Sequence, residues 1–145
     1  MTRRTVLRLL SWNVAKRRAY RDQIEAISNV DPDVIALQEV SYRRSDALIE
    51  ALSDLGYSEA RYSWDLTLAP AFKHGVLVAS RWPLAAKVGP DVPYPESALS
   101  VEAASPYGPI EVTTVHVPNG STYGVKGGRL RALRRGWHEV PAALR

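Results

Sequence analysis

Two polar residues, Asn13 and Glu39, end apolar segments at places where a side chain could do chemistry. Asn13 closes LRLLSWN, and Glu39 follows the apolar run 34–37 within DVIALQEV. A carboxylate at the mouth of a buried strand loses hydration and needs a compensating cation or hydrogen bonds. An amide and a carboxylate are hard oxygen ligands that suit Mg²⁺ or Mn²⁺ rather than Zn²⁺. The alternative is that Glu39 pairs with Arg43 and Asn13 caps a turn.

A second candidate site element is VHVPNGS at residues 115–121. His116 closes an apolar segment, and the turn at Pro118, Asn119 and Gly120 could aim side chains and amides at a phosphate. The alternative is that His116 is simply a hydrogen-bonded histidine and that residues 118–120 form a common turn without a ligand.

The pattern of apolar residues predicts two βα units followed by a meander of short strands. Strands are predicted at residues 6–14, 33–38, 57–64, 75–80, 84–88, 98–103 and 110–116, and helices at 21–30, 45–55 and the first part of 126–143. This order favours an α/β (α+β) fold with a mixed sheet and helices on one face, so the other face needs a partner layer. Asn13 and Glu39 then lie at the C-terminal ends of neighbouring strands, the edge where such sheets bind ligands.

Composition indicates one ordinary globular domain without a membrane span. The 145 residues are 46% hydrophobic and 23% charged, and no segment reaches the roughly 20 apolar residues that cross a bilayer. Arg8 interrupts the apolar tract near the start, which favours a strand there over a signal peptide. The absence of cysteine excludes a disulfide framework or a thiolate site and favours a reducing compartment, and we expect a cytoplasmic protein.

The net charge of +4 is concentrated in two basic clusters. They contain Lys16, Arg17, Arg18 and Arg21 near the start, and Lys126, Arg129, Arg131, Arg134 and Arg135 near the end. Such clusters suit a phosphate-bearing substrate, although charge alone favours a solvated face.

Four elements in order, SWNVA, DVIALQEV, HGVLVASRWPL and TTVHVPNGS, resemble the endonuclease/exonuclease/phosphatase superfamily. The resemblance covers nearly all of residues 6–131, and an unrelated α/β protein would need four ordered coincidences. It implies an α/β sandwich of two packed sheets with helices outside, and Mg²⁺- or Mn²⁺-dependent cleavage of phosphoester bonds. Substrates in this superfamily include DNA, RNA, lipid headgroups and inositol phosphates.

The resemblance also implies a role for each candidate residue. Glu39 would be the direct metal ligand, and Asn13 would hold the polar network near the metal and the attacking water. His116 and Asn119 would contact the scissile phosphate. The metal would neutralise charge that develops on the phosphate while a base activates water.

The sequence departs from the family after the fourth element. Family members continue with a Gly-Asp-Phe-Asn-like element and end with a Ser-Asp-His-like element, and residues 117–145 contain neither. His138 and Glu139 stand in another context and are predicted to be surface residues. We therefore predict that residues 1–145 form one partial domain lacking its C-terminal half, with about one mixed sheet and flanking helices.

Such a domain is expected to bind Mg²⁺ weakly and to hydrolyse phosphodiesters poorly or not at all. Its exposed sheet face would favour self-association or a partner that covers it. The alternative function is a non-catalytic module of the same fold that binds nucleic acid or protein through the basic clusters.

Overall fold

The computed structural model describes residues 6–15 and 20–117, which form two sheets and two α-helices. The elements are β1 Leu9–Asn13, α1 Tyr20–Val30, β2 Val34–Ser41, α2 Ser45–Asp54, β3 Glu59–Tyr62, β4 His74–Ser80, β5 Leu84–Ala86, a 3-10 helix Pro95–Ser97, β6 Ala98–Ser105 and β7 Gly108–Val115. Every helix and strand predicted within these ranges is present, with shifted ends. The helix predicted within 126–143 lies outside the described residues.

The first sheet has the strand order β1-β2-β4-β3. β1 and β2 run parallel, with Asn13 beside Gln38, whereas β4 is antiparallel to both β2 and β3. The parallel pair comes from the βα unit that the sequence predicts, because α1 carries the chain back to the start of β2. The C-terminal ends of β1 and β2 therefore meet at one edge of the sheet.

Both helices cover the same face of the first sheet. Ile35 and Leu37 of β2 point into this layer, where they pack with Ile27 of α1 and Leu48 and Leu52 of α2. All five side chains are buried, as expected for apolar residues at helical and strand spacing that meet in one core.

Helix α2 ends as the sequence predicts, at Gly56. This glycine has φ +94°, a backbone conformation that residues other than glycine rarely adopt. The Tyr57 amide donates to the Leu52 carbonyl and the Gly56 amide to the Ser53 carbonyl, the two bonds of a Schellman motif.

The second sheet is antiparallel, in the order β5-β6-β7, and covers the other face of the first. Val34 and Val78 from the first sheet pack there against Leu99, Val101 and other buried residues of the second. The predicted α/β fold class is confirmed, but only the first two strands of the predicted meander, β3 and β4, join the mixed sheet, and the last three form a separate sheet. The face expected to be bare is therefore covered by the chain's own strands. The physical reason is that β6 buries the alternate apolar residues Leu99, Val101 and Ala103, which requires a facing layer.

Candidate active site

Glu39 occupies a β-bulge at the end of β2. In the pairing with β4, Leu37 lies opposite Leu77 and Val40 opposite Gly75, so β2 holds one residue more than its partner over this stretch. Glu39 takes a left-handed backbone conformation with φ +55°. The bulge lets Val40 return to the helix-side core while the carboxylate leaves it, because an inserted residue breaks the two-residue alternation of a strand.

Asn13 lies next to Glu39 on the parallel neighbour β1. Its Nδ2 donates a hydrogen bond to Oε1 of Glu39 over 3.2 Å, and its Oδ1 accepts one from the Ala15 amide over 2.9 Å. The Asn13 side chain thus caps the turn at Ala15, which is the alternative role considered from the sequence. The same side chain also orients the carboxylate of Glu39.

His116 reaches the same edge from the second sheet. It follows β7 directly, and its backbone amide donates to the Ser97 carbonyl over 2.8 Å. Its Nε2 lies 3.7 Å from Oε1 of Glu39, a contact that becomes an ion pair when the imidazole is protonated. The side chains of His116 and Glu39 are 14% and 21% exposed, so the pair is partly shielded but still reachable from solvent.

Gln38 joins the two sheets beneath these residues. Its Nε2 donates to Oγ1 of Thr114 on β7 over 2.9 Å and lies 3.3 Å from Oγ of Ser11 on β1. The sequence interpretation assigned no role to Gln38, although a polar residue directly before Glu39 was a usable signal.

His74 is a further residue that the sequence interpretation left without a function. Its ring meets the ring of His116 edge-on, with centroids 5.5 Å apart, and it stacks against Phe72 at 5.4 Å. His74 is buried at the first position of β4, so it supports the imidazole of His116 from inside the protein.

Similarity to known proteins agrees with this geometry. The sequence profile of the endonuclease/exonuclease/phosphatase family matches residues 10–143, which is most of the chain. The chain belongs to this family. No curated protein sequence matches it.

Solved structures show the endonuclease/exonuclease/phosphatase fold over about nine-tenths of the chain. An endonuclease/exonuclease/phosphatase protein from Beutenbergia cavernae matches with TM-score 0.70 and 20% identity, over 93% of this chain and 44% of its own. An AP endonuclease from Archaeoglobus fulgidus gives 0.66 and 20%, over 92% and 50%. A 3′ phosphatase from Neisseria bound to a product DNA hairpin gives 0.63 and 17%, over 92% and 49%. The chain therefore spans half or less of the length of these relatives.

The endonuclease/exonuclease/phosphatase family implies a divalent metal, and the donor set at Glu39 fits one. Within the described part of the chain, no cluster of three or more His, Cys, Asp or Glu residues is placed to bind a metal. Mg²⁺ does not require one, since it commonly takes one or two carboxylates and keeps several waters. Among the described residues, no hydrogen bond engages Oε2 of Glu39, which leaves that oxygen available to a cation. The expected alternative partner, Arg43, instead donates its Nε to the Tyr42 hydroxyl over 3.0 Å.

The remaining predicted site residues fall largely outside the described ranges. Asn119 and both basic clusters, apart from the exposed Arg21 on α1, belong to that part, as do His138 and Glu139. Within the described ranges, no helix is long and apolar enough to cross a membrane.

Proposed function

We propose that this chain derives from a Mg²⁺- or Mn²⁺-dependent phosphoester hydrolase of the nuclease and phosphodiesterase type. The observation that carries the proposal is that Asn13, Glu39 and His116 meet at one edge of the fold. Nδ2 of Asn13 lies 3.2 Å, and Nε2 of His116 3.7 Å, from Oε1 of Glu39. Family membership supports it, because the family unites endonucleases, exonucleases and phosphatases.

In this proposal Glu39 holds the metal through the carboxylate, and Asn13 fixes the carboxylate's direction through its amide donor. Asn13 Oδ1 accepts one bond from Ala15 and has a second lone pair, so it can also face the metal or its water. The metal, when bound, neutralises the charge that develops on the phosphate.

His116 is proposed to contact the phosphate. Its backbone is held at Ser97 and its ring is supported by His74, so the imidazole keeps one position from which Nε2 can donate to an oxyanion. Asn119 is proposed as a second phosphate contact on the basis of the family resemblance alone.

Weak or absent activity of this 145-residue chain is part of the proposal. The sequence has no Gly-Asp-Phe-Asn-like or Ser-Asp-His-like element, and its seven aspartates all precede His116. General-base assistance is worth about 10²–10⁴-fold in rate, so a chain without a water-activating aspartate turns over slowly at best.

Nucleic acid is the substrate class that the relatives favour. The Neisseria 3′ phosphatase was solved with a product DNA hairpin, and the Archaeoglobus protein is an AP endonuclease. The basic sequence, with an isoelectric point near 9.6, suits a polyanionic substrate.

The lack of cysteine supports the cytoplasm as the location.

Metal binding and hydrolysis by the purified chain test the proposal separately. Calorimetric titration with Mg²⁺ and Mn²⁺ should show weak binding that Glu39→Ala abolishes and Glu50→Ala, an exposed helix control, retains. Cleavage of plasmid DNA and of bis-nitrophenyl phosphate should stay close to the rate without protein. Metal binding that survives Glu39→Ala would refute the site, and rapid Glu39-dependent cleavage would refute the expected inactivity.

A non-catalytic module of the same fold is the second candidate, favoured by the missing catalytic elements together with the basic clusters. Replacing Arg129, Arg131 and Arg134 by Glu should then abolish DNA binding while Glu39→Ala leaves it unchanged. DNA binding that instead depends on Glu39 and a divalent metal would favour the hydrolase over the non-catalytic module.

A further inference from the structure

Two aromatic rings stack beside the candidate active site. The rings of Tyr42, directly after β2, and Trp64, two residues after β3, have centroids 4.9 Å apart and planes inclined by 16°. Trp64 Nε1 donates to the Phe72 carbonyl over 2.8 Å, and the Tyr42 amide donates to the Lys73 carbonyl over 3.2 Å. The ring pair is therefore held in place before any ligand arrives.

Exposed cations lie beside Tyr42 of this ring pair. The guanidinium of Arg43 lies 5.7 Å from the centre of the Tyr42 ring, and Arg44 and Lys73 are also exposed. The hydrogen bond from Arg43 and the positive charges of Arg43 and Lys73 lower the pKa of the Tyr42 phenol. Tyr42, Arg43, Trp64 and Lys73 together are called the aromatic–cationic surface below.

This surface adjoins the proposed phosphate site through a short series of contacts. Lys73 precedes His74, which pairs with Ser41 across the sheet, one residue before Tyr42. The ring of His74 meets that of His116, which lies 3.7 Å from Glu39. Tyr42 follows Glu39 by three residues, so the surface and the proposed phosphate site lie at the same end of β2.

We propose that the aromatic–cationic surface binds a nucleotide of a single-stranded nucleic acid, next to the phosphate held at Glu39 and His116. A base would stack on the ring pair or on the Arg43 guanidinium plane, while Arg43 and Lys73 pair with the adjacent phosphates. A single strand fits better than a duplex because its bases have free faces for stacking. The inference rests on the proposed function and narrows its substrate class.

Neighbouring acidic and apolar residues test this assignment. Asp65 follows Trp64 directly and is exposed, so Asp65→Asn removes a negative charge beside the rings and should strengthen binding of a polyanion. Leu66 and Leu68 in the same connection are 63% and 106% exposed, which is the feature a lipid surface would use. Thr67 separates them and Asp65 precedes them, and the stacked rings are the better-built feature because hydrogen bonds hold the Trp64 ring and the Tyr42 backbone.

Fluorescence anisotropy with the full 145-residue chain tests the proposal in the presence of EDTA, which removes metal binding and hydrolysis from the measurement. The probes are a labelled oligothymidine of about eight nucleotides, matching a short single-strand site, and an oligomer of equal length with abasic spacers. The wild type should bind the oligothymidine more tightly than the abasic oligomer. Tyr42→Leu, Arg43→Glu and Lys73→Glu should each weaken binding by about tenfold.

Lys87→Glu is the matched control, because Lys87 undergoes the same charge reversal on the second sheet, where it pairs with Glu102. It should change affinity by less than about twofold. Arg43 and Lys73 are exposed, so their variants keep the fold even if Tyr42→Leu does not, and thermal unfolding of each variant checks this.

Three results would overturn the proposal: equal affinity for both oligomers, equal loss in Lys87→Glu and Arg43→Glu, or tighter binding to anionic phospholipid vesicles that Leu68→Ser abolishes. The last result would assign the surface to lipid. Intact oligothymidine binding in a chain that neither binds Mg²⁺ nor cleaves DNA would separate this inference from the proposed hydrolase.

Discussion

The hydroxyl of Tyr62 on β3 donates a hydrogen bond to the carbonyl of Val40, over 2.5 Å, across the intervening strand β4. Val40 is the residue that follows Glu39, so this bond satisfies the backbone at the bulge that carries the candidate metal ligand. Both residues are buried, and a carbonyl left without a donor there would have no water to replace it.

Tyr62→Phe should lower the free energy of unfolding by about 1–3 kcal/mol, the cost of an unsatisfied buried acceptor. Urea denaturation of wild type and variant at neutral pH measures the difference. Tyr107→Phe removes a hydroxyl from an exposed ring and should have almost no effect. Equal stability of Tyr62→Phe and the wild type would show that the bulge is held without this bond.

The alkaline stability of the protein should depend on the same hydroxyl. Burial, with a contribution from the charge of Asp65, raises the pKa of Tyr62 above its usual value. The folded state then binds this proton more tightly than the unfolded state. The stability that comes from the protonated Tyr62 hydroxyl is therefore complete below the ordinary tyrosine pKa of about 10. It is lost as the pH rises toward the pKa that Tyr62 has in the folded protein.

Urea denaturation from about pH 8 to about pH 11 should therefore show a smaller loss of stability for Tyr62→Phe than for the wild type. Burial also raises the pKa of Tyr57, so the variant keeps part of the slope. Parallel pH profiles of wild type and Tyr62→Phe would contradict the assignment.

The left-handed backbone at Glu39 makes glycine the better small residue there. An L-residue with a side chain loses about 1–2 kcal/mol in this conformation, whereas glycine does not. We expect Glu39→Gly to be more stable than Glu39→Ala by about 1 kcal/mol in denaturant titrations. At Glu50, exposed in the middle of α2, the order should reverse, because alanine favours a helix by about 1 kcal/mol over glycine. The same order at both positions would mean that Glu39 is not left-handed.

Gly75, opposite Val40, should tolerate no side chain. An added Cβ would lie 2.7 Å from Oγ of Ser63, which cannot easily move because it donates to the Glu96 carbonyl and accepts from the Val76 amide. Gly75→Ala should cost about 1–3 kcal/mol of unfolding free energy. Gly89→Ala is the control, since its Cβ would come no closer than 3.6 Å to another atom and its cost should be small. Similar stability of the two variants would contradict the crowding argument.

The sequence predicts the neighbouring placement of Asn13 and Glu39 because two βα units force parallel strands whose ends meet at one edge. It does not predict the bulge that aims Glu39. That bulge depends on β4, whose Gly75 lies far along the chain, and on a register that only the paired strands define. Single-sequence periodicity reports burial along one strand at a time, so this register is outside its reach.

The layer arrangement and the role of His74 have the same origin. The alternation of apolar and polar residues over 84–115 indicates strands. It does not indicate whether these strands extend the first sheet or pack against it, since both arrangements bury one side of each strand. In the sequence His74 only precedes the predicted strand 75–80, and its contact with His116 arises only when the second sheet folds over the first.

Asn13→Asp offers a test of the site through metal dependence. The variant replaces the donor 3.2 Å from Oε1 of Glu39 by a carboxylate oxygen, while the acceptor for the Ala15 amide is retained. In EDTA the two carboxylates should repel, and the midpoint of thermal unfolding should fall below that of the wild type. With millimolar Mg²⁺ a bound cation compensates both charges, so the midpoint of the variant should rise more than that of the wild type.

Asn29→Asp serves as the control for this experiment, because Asn29 is exposed on α1 and also gains one negative charge. Its unfolding midpoint should respond to Mg²⁺ as the wild type does. A response of Asn13→Asp no larger than that of Asn29→Asp would place the cation elsewhere. A larger response that Glu39→Ala removes in the double variant would tie it to the Asn13–Glu39 pair, because the Mg²⁺-dependent part of the stability would then require both side chains.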